Sequence, residues 1–293
     1  MAKIIDGKKI AQDVRNELRG RIDHLVSAGR RPKLTVVLVG ENPASQIYVR
    51  MKTRAADELG IAADTIRLPA STPEQELLAL IGRLNHDSSV HGILVQLPLP
   101  GQIAESHVIH ALAPDKDVDG FHPLNRGKLA VGEDTLLPCT PLGVQELLMR
   151  SGYNPSGKNV VIAGRSNIVG LPLATMLAQK KKGANATVTI CHTGTGNLSD
   201  FTRRADILVA AVGRPEVITG EMVKDGVVVV DVGVNRVDDP AAEKGYRVVG
   251  DVEFESVSQR AEAITPVPGG VGPMTIAMLM HNTVKAAESF MRQ

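Results

Sequence analysis

Apolar residues in this chain fall into short dense runs separated by stretches with helical spacing. The run "LTVVLVG" at 34–40 reads as a buried strand. A helix is expected from Ser45 to Leu59, with Ile47, Met51, Ala55 and Leu59 as its apolar stripe, Ser45 as N-cap and Gly60 as stop. "TIRLP" at 65–69 predicts a second strand and "PEQELLALIGRLN" at 73–85 a second helix. "GILVQLPLP" at 92–100 is a third strand running into a Pro-rich loop.

A second series starts after "PCTPLGVQELLMRSG". Its strands are "NVVIAG" (159–164), "TVTIC" (187–191), "DILVAAVG" (206–213), "VVVVDVG" (227–233) and "AITPVPG" (263–269). The chain closes on a helix with Pro273 in its first turn and Ile276, Ala277, Met280, Val284 and Ala287 on one apolar face. This βαβα rhythm predicts an α/β fold with parallel sheets covered by helices. At 293 residues two domains are expected, with the last helix returning to the first.

Composition narrows the function. A net charge of +1 leaves no electrostatic footprint for nucleic acid or an acidic membrane. Aromatics at 2% exclude base-stacking platforms, and no apolar run is long enough to span a bilayer. The first residues, which include Asp13 and Glu17, predict no leader peptide. Cys139 and Cys191 lie far apart in no redox or metal pattern, so a reducing cytoplasm is expected. His107 and His110 lack a third ligand, and no metal is expected.

"NVVIAGRSNIVGLPLATMLAQ" reads as strand, Gly-rich turn and helix, bracketed by Gly164 and Gly170. Such a turn lets backbone approach a pyrophosphate at a helix N-terminus. The second strand ends in Cys191-His192-Thr193-Gly194, where an NAD site would place a carboxylate. Arg165 sits in the turn instead. The expected cofactor is NADP, with Arg165 on the 2′-phosphate.

Tyr48 and Lys52 have the Y-x-x-x-K spacing of short-chain dehydrogenases, but they precede the nucleotide loop by more than a hundred residues. The pair therefore belongs to the first domain. Residues four apart share a helix face, so Tyr48 and Lys52 project together, which by itself also describes a surface Lys beside a half-buried Tyr. Gln96 ends a strand, and Asp115, Asp117 and Asp119 crowd one loop. The stretches "YVRMK", "GILVQLPLP", "DKDVDGFHPLN", "PCTP", "GRSNIVGLP", "VVVDVGVN", "GDV" and "ITPVPGGVGPMT" together closely resemble the bifunctional methylenetetrahydrofolate dehydrogenase/methenyltetrahydrofolate cyclohydrolase family.

The resemblance implies a folate-binding catalytic domain (1–138 plus 273–293), a Rossmann-like NADP-binding domain (139–272) and a cleft between them. It carries catalytic roles to Lys52, Gln96, Tyr48 and Asp119. Tyr48, Gln96, Asp119, Pro268 and Gly269 would contact folate, and Gly164, Arg165, Ser166, Thr193 and Val234 the cofactor. It further implies a cytoplasmic homodimer serving one-carbon metabolism and purine biosynthesis. One departure stands out: the family's "CHS-[RK]-T" is "CHTGT" here, so Gly194 replaces a basic residue. Arg165 would then carry more of the 2′-phosphate contact alone, and the preference for NADP would be smaller than in relatives that keep the basic residue.

The chemistry separates the two reactions. Hydride loss from the methylene bridge of 5,10-methylenetetrahydrofolate releases no substrate proton, so positioning and electrostatics suffice. Opening the methenyl product with water to 10-formyltetrahydrofolate needs proton transfer. Lys52 is the candidate, since partial burial and a cationic substrate both favour the neutral amine. Gln96 can orient its nitrogen, Tyr48 offers a flat face to a ring, and Asp119 can accept from pterin N–H groups. The alternatives are an NAD-using monofunctional methylenetetrahydrofolate dehydrogenase and a non-enzymatic nucleotide-binding module.

Overall fold

The computed structural model describes residues 1–242 and 245–291. In chain order the elements are β1 (Lys3–Ile4), α1 (Gly7–Ser27), β2 (Lys33–Val39), α2 (Pro43–Glu58), β3 (Ala62–Leu68), α3 (Glu74–His86), β4 (Gly92–Val95), α4 (Glu105–Ala111), α5 (Pro123–Val131) and α6 (Cys139–Arg150). They continue with β5 (Asn159–Ala163), α7 (Gly170–Ala178), β6 (Thr187–Cys191), α8 (Ser199–Thr202), β7 (Ile207–Ala210) and β8 (Val228–Asp231). The last are β9 (Asn235–Asp238), β10 (Tyr246–Val249), α9 (Phe254–Ser258), β11 (Ala263–Ile264) and α10 (Val271–Met291).

Two compact units result. One comprises Gln12–Cys139 and the chain from Ile276 on, the other Met1–Ala11 and Thr140–Thr275. The expected division left residues 1–11 with the first domain. Here β1 pairs in parallel with β11 and so extends the second unit's sheet. With two residues, both side chains exposed, β1 gives periodicity nothing to detect.

The first unit holds a parallel three-stranded sheet in the order β3-β2-β4. Val37, Val39, Leu77, Ile81, Val95 and Val108 pack into one core against it. The carboxylate loop lies along β4: Ile93 N–H donates to Lys116 O at 2.8 Å, and Ile93 bridges Asp117 in parallel. This approach requires glycine at position 92, because a Cβ there would lie 2.6 Å from Val118 Cγ1. Lys116 is buried and donates to Leu84 O and Asp87 O at 3.1 and 2.7 Å, near the end of α3. It ties the loop down and satisfies carbonyls that a helix terminus leaves open.

Two helices differ from the expected pattern. On α2 the N-cap is Asn42, whose side chain accepts from Ser45 N–H, and Pro43 takes the first turn. Ile47 and Met51 are exposed, while Ser45, Val49, Lys52, Ala55 and Ala56 are buried. The buried stripe thus contains a serine and a lysine, which a search for apolar spacing passes over. On α10 burial is not confined to one face: Met274, Met278, Leu279, Asn282, Thr283 and Ala286 are buried along with the expected residues. The Asn282 amide is accommodated because it donates to Val118 O and Leu137 O, each at 2.8 Å.

The second unit is a six-stranded sheet in the order β1-β11-β8-β7-β5-β6, parallel throughout. Val161, Leu208, Val229 and Ile264 anchor its core. β9 and β10 form a separate antiparallel pair, whose alternating burial and polar residues escaped the search for apolar runs.

Two buried carboxylates organise the C-terminal ends of β7 and β8. Asp231 Oδ1 accepts from Gly233 and Asp251 N–H, and its Oδ2 from Val252 N–H, at 2.9–3.0 Å. Asp251 Oδ2 accepts from Val212 and Gly213 N–H at 2.5 and 2.8 Å. Its Oδ1 accepts from Arg214 N–H at 3.1 Å and Asn235 Nδ2 at 2.9 Å. Burial pushes Asp231 up to about 6 in spite of its three donors. The folded pKa lies above the unfolded one, so the folded state binds the proton more tightly. This group's contribution to stability is therefore full below pH 4 and falls as pH rises through 6, by about 3 kcal/mol in all. The stability difference between wild type and Asp231→Asn, followed by denaturant titration from pH 4 to 7, should shift against wild type. A flat difference would contradict this.

Candidate active site

In the first unit, α2 and the end of β4 bring Lys52 and Gln96 together. Lys52 is 9% exposed, and its Nζ donates to Gln96 Oε1 at 3.0 Å. The Gln96 amide is fixed from its other side, since Nε2 donates to Leu97 O at 2.7 Å. That second bond forces Oε1 toward the lysine. The chain then turns through a cis Leu97–Pro98 bond. Tyr48, one turn before Lys52 on α2, is 39% exposed, so its ring is accessible.

The three carboxylates of the 115–119 loop separate by role. Asp115 is exposed. Asp117 is buried, and its Oδ2 accepts from His122 N–H at 2.7 Å and Asn125 Nδ2 at 2.9 Å. It shapes the turn into α5. Asp119 is half-buried, and burial raises its pKa while the charge of Lys52 pulls it down. Both carboxylates line a small cavity with Ile93, Val95, Leu97 and Phe121. Cys139 is buried and donates to Val118 O at 3.2 Å, and burial holds its thiol well above the ordinary range. It is a packed, protonated residue and no nucleophile.

In the second unit a cavity of about 340 Å³ opens at the C-terminal ends of β5, β6 and β7. Gly164, Arg165, Ser166 and Thr193 line it. Gly164 has φ +136°, and a Cβ there would lie 2.1 Å from Ala211 O, so only glycine lets the loop cross β7. Ser166 Oγ accepts from Val169 N–H at 3.1 Å and shapes the turn into α7. No carboxylate lines the cavity, while two guanidiniums do, from Arg165 and Arg214. This donor set fits a nicotinamide dinucleotide that bears an extra phosphate.

The remaining expected residues lie elsewhere. Val234 follows β8, 57% exposed, and is not among the residues lining this cavity. Pro268 and Gly269 form the turn between β11 and α10, with a cis Val267–Pro268 bond. Reading the sequence missed Arg214 and Asp251. Arg214 had a usable signal, because ligands bind beyond the C-terminal ends of parallel strands and "VGRP" follows β7. Asp251 sits in the stretch "GDV", but the loop it holds is remote in sequence and nothing there indicated that role. Among the described residues no group of three or more His, Cys, Asp or Glu could hold a metal ion, and no helix is long and apolar enough to cross a membrane.

A nucleotide-binding unit of this topology, on one chain with a second parallel α/β unit, defines a two-domain dinucleotide-dependent enzyme. Comparison with known proteins makes the class specific. Residues 5–119 match the tetrahydrofolate dehydrogenase/cyclohydrolase catalytic domain, and residues 138–291 match the NAD(P)-binding domain of the same family. "Bifunctional protein FolD" of Chlorobium chlorochromatii (strain CaD3) is 54% identical over 286 residues, 97% of each chain. The crystal structure of the bifunctional FolD methylenetetrahydrofolate dehydrogenase/cyclohydrolase from Campylobacter jejuni superposes with a TM-score of 0.93 at 49% identity, covering 99% of this chain and 100% of that one. The Trypanosoma brucei dehydrogenase-cyclohydrolase, solved with NADP cofactor and an inhibitor, gives 0.94 at 41%, covering 100% and 99%. The chain belongs to the tetrahydrofolate dehydrogenase/cyclohydrolase family.

Proposed function

We infer that this chain oxidises 5,10-methylenetetrahydrofolate to the methenyl compound with NADP and then hydrolyses that product to 10-formyltetrahydrofolate. The observation that carries the second activity is the Lys52–Gln96 hydrogen bond of 3.0 Å at the end of β4. Hydride transfer alone has no use for a buried amine held in this way. A monofunctional dehydrogenase would leave the pair unexplained.

Gly164, Arg165, Ser166, Thr193 and Val234 are assigned to NADP. When bound, the cofactor supplies the hydride acceptor. The N-terminus of α7 follows the glycine loop and suits the pyrophosphate. Tyr48, Gln96 and Asp119, with Pro268 and Gly269, are assigned to folate, and the first unit is the folate-binding one. In the methenyl compound the positive charge is shared by two nitrogens. Water adds to the carbon between them and one C–N bond opens. Both protons leave the water, one released to solvent as the positive charge is lost, and one that must reach the departing nitrogen. Lys52 Nζ moves that proton, Gln96 orients the amine, and Asp119 holds the pterin by accepting from its N–H groups. A homodimer in the cytoplasm completes the reading.

Gln96→Ala tests the pair. Losing a hydrogen bond to a charged group costs about 1.5–3 kcal/mol, so ring opening should slow roughly ten- to a hundredfold. The hydride step should slow much less. Equal loss of the two rates would show that Gln96 only shapes the folate site.

A further inference from the structure

We propose that Arg214 is a second specificity-determining cation for the cofactor's 2′-phosphate, sharing with Arg165 a role that the sequence assigns to Arg165 alone. The proposal rests on the reading of the cofactor as NADP.

Position 194, at the end of β6, is where a side chain could reach the 2′-position of the adenosine ribose. Gly194 offers none, and its N–H donates to His192 Nδ1 at 3.0 Å. A Cβ at 194 would lie 3.1–3.2 Å from the His192 ring, a tight contact. Positive charge must come from elsewhere on the rim. Arg214 lines the same cavity as Arg165, Thr193 and Thr195. It approaches from the loop after β7, while Arg165 comes from the loop after β5.

Three features suit Arg214 to the task. Its backbone is pinned, because Asp251 takes the N–H groups of Val212, Gly213 and Arg214 in succession. Less ordering remains when a ligand arrives. Among the described residues its guanidinium has no carboxylate partner, and nearby Glu216 is engaged with Arg247 at 3.5 Å. No carboxylate lines the cavity to compete with a phosphate. Two guanidiniums from separate loops can flank one dianion with charge-assisted bonds.

The test is equilibrium binding, by calorimetry, of NADP, NAD and 2′,5′-ADP to wild type, Arg214→Ala, Arg165→Ala and the double variant. 2′,5′-ADP carries the 2′-phosphate without the pyrophosphate or nicotinamide. Arg214→Ala should weaken NADP and 2′,5′-ADP about tenfold and leave NAD within about twofold. Arg165→Ala alone should leave part of the NADP preference, and the double variant should erase it. Arg214→Lys should recover part of the loss, since the charge returns without the fork. A loss shared equally by NAD would place Arg214 on the pyrophosphate and overturn the proposal, as would unchanged NADP binding. A wild type that binds NAD as tightly as NADP would overturn the cofactor reading itself, and that is seen before any variant is compared. Unchanged thermal unfolding of Arg214→Ala confirms that the exposed side chain carries no fold.

Discussion

Lys52→Met is expected to abolish hydrolysis of preformed methenyltetrahydrofolate, with a loss of about 10²–10⁴-fold, the range for a general acid–base group. Methionine keeps the length of the side chain on the buried face of α2, so packing there survives. It cannot carry a proton. Dehydrogenase activity should remain measurable, because hydride transfer moves no proton. Lys52→Arg separates charge from proton transfer. A guanidinium stays protonated at all working pH values, so this variant should also fail at ring opening. A Lys52→Met enzyme that hydrolyses the methenyl compound at near wild-type rate would remove Lys52 from the mechanism.

Asp119→Ala is expected to raise the Michaelis constants for both folate substrates about ten- to a hundredfold and leave NADP affinity unchanged. Of the three carboxylates in its loop, Asp119 is the half-buried one that feels the charge of Lys52. Asp115 is exposed, and Asp117 is committed to His122 and Asn125. The acceptor role requires the ionised form. Burial raises the Asp119 pKa, so folate affinity should fall as pH drops toward it, and Asp119→Asn should lose that dependence. Weakened NADP with intact folate binding would refute the assignment.

The parallel sheets were legible because their strands are short, dense apolar runs, which buried parallel strands require. What escaped was polar, short or remote in sequence. The stripe of α2 was misread because a lysine and a serine occupy its buried face, while Ile47 and Met51 face out. That inversion is itself a mark of function, since burying Lys52 is costly unless something uses it. β1 pairs through only two residues, and β9 and β10 are too polar for an apolar-run search. The candidate residues lay in unusual motifs, and the pairing of Lys52 with Gln96, 44 positions away, was expected from the chemistry. The hold of Asp251 on Val212, 39 positions away, was not. The departure at Gly194 was visible, and "VGRP" offered Arg214, whose place beside Arg165 in one cavity followed from the alignment of β5, β6 and β7.

The central claim is that one enzyme runs both reactions and that Lys52 is needed only for the second. It is tested most directly by a single progress curve started from 5,10-methylenetetrahydrofolate and NADP, with methenyltetrahydrofolate followed by absorbance and 10-formyltetrahydrofolate by chromatography. Wild type should pass through to the 10-formyl product. Lys52→Met should accumulate the methenyl compound and clear it no faster than the spontaneous rate. A variant that forms no methenyl compound at all, or one that forms and clears it as wild type does, would contradict the account.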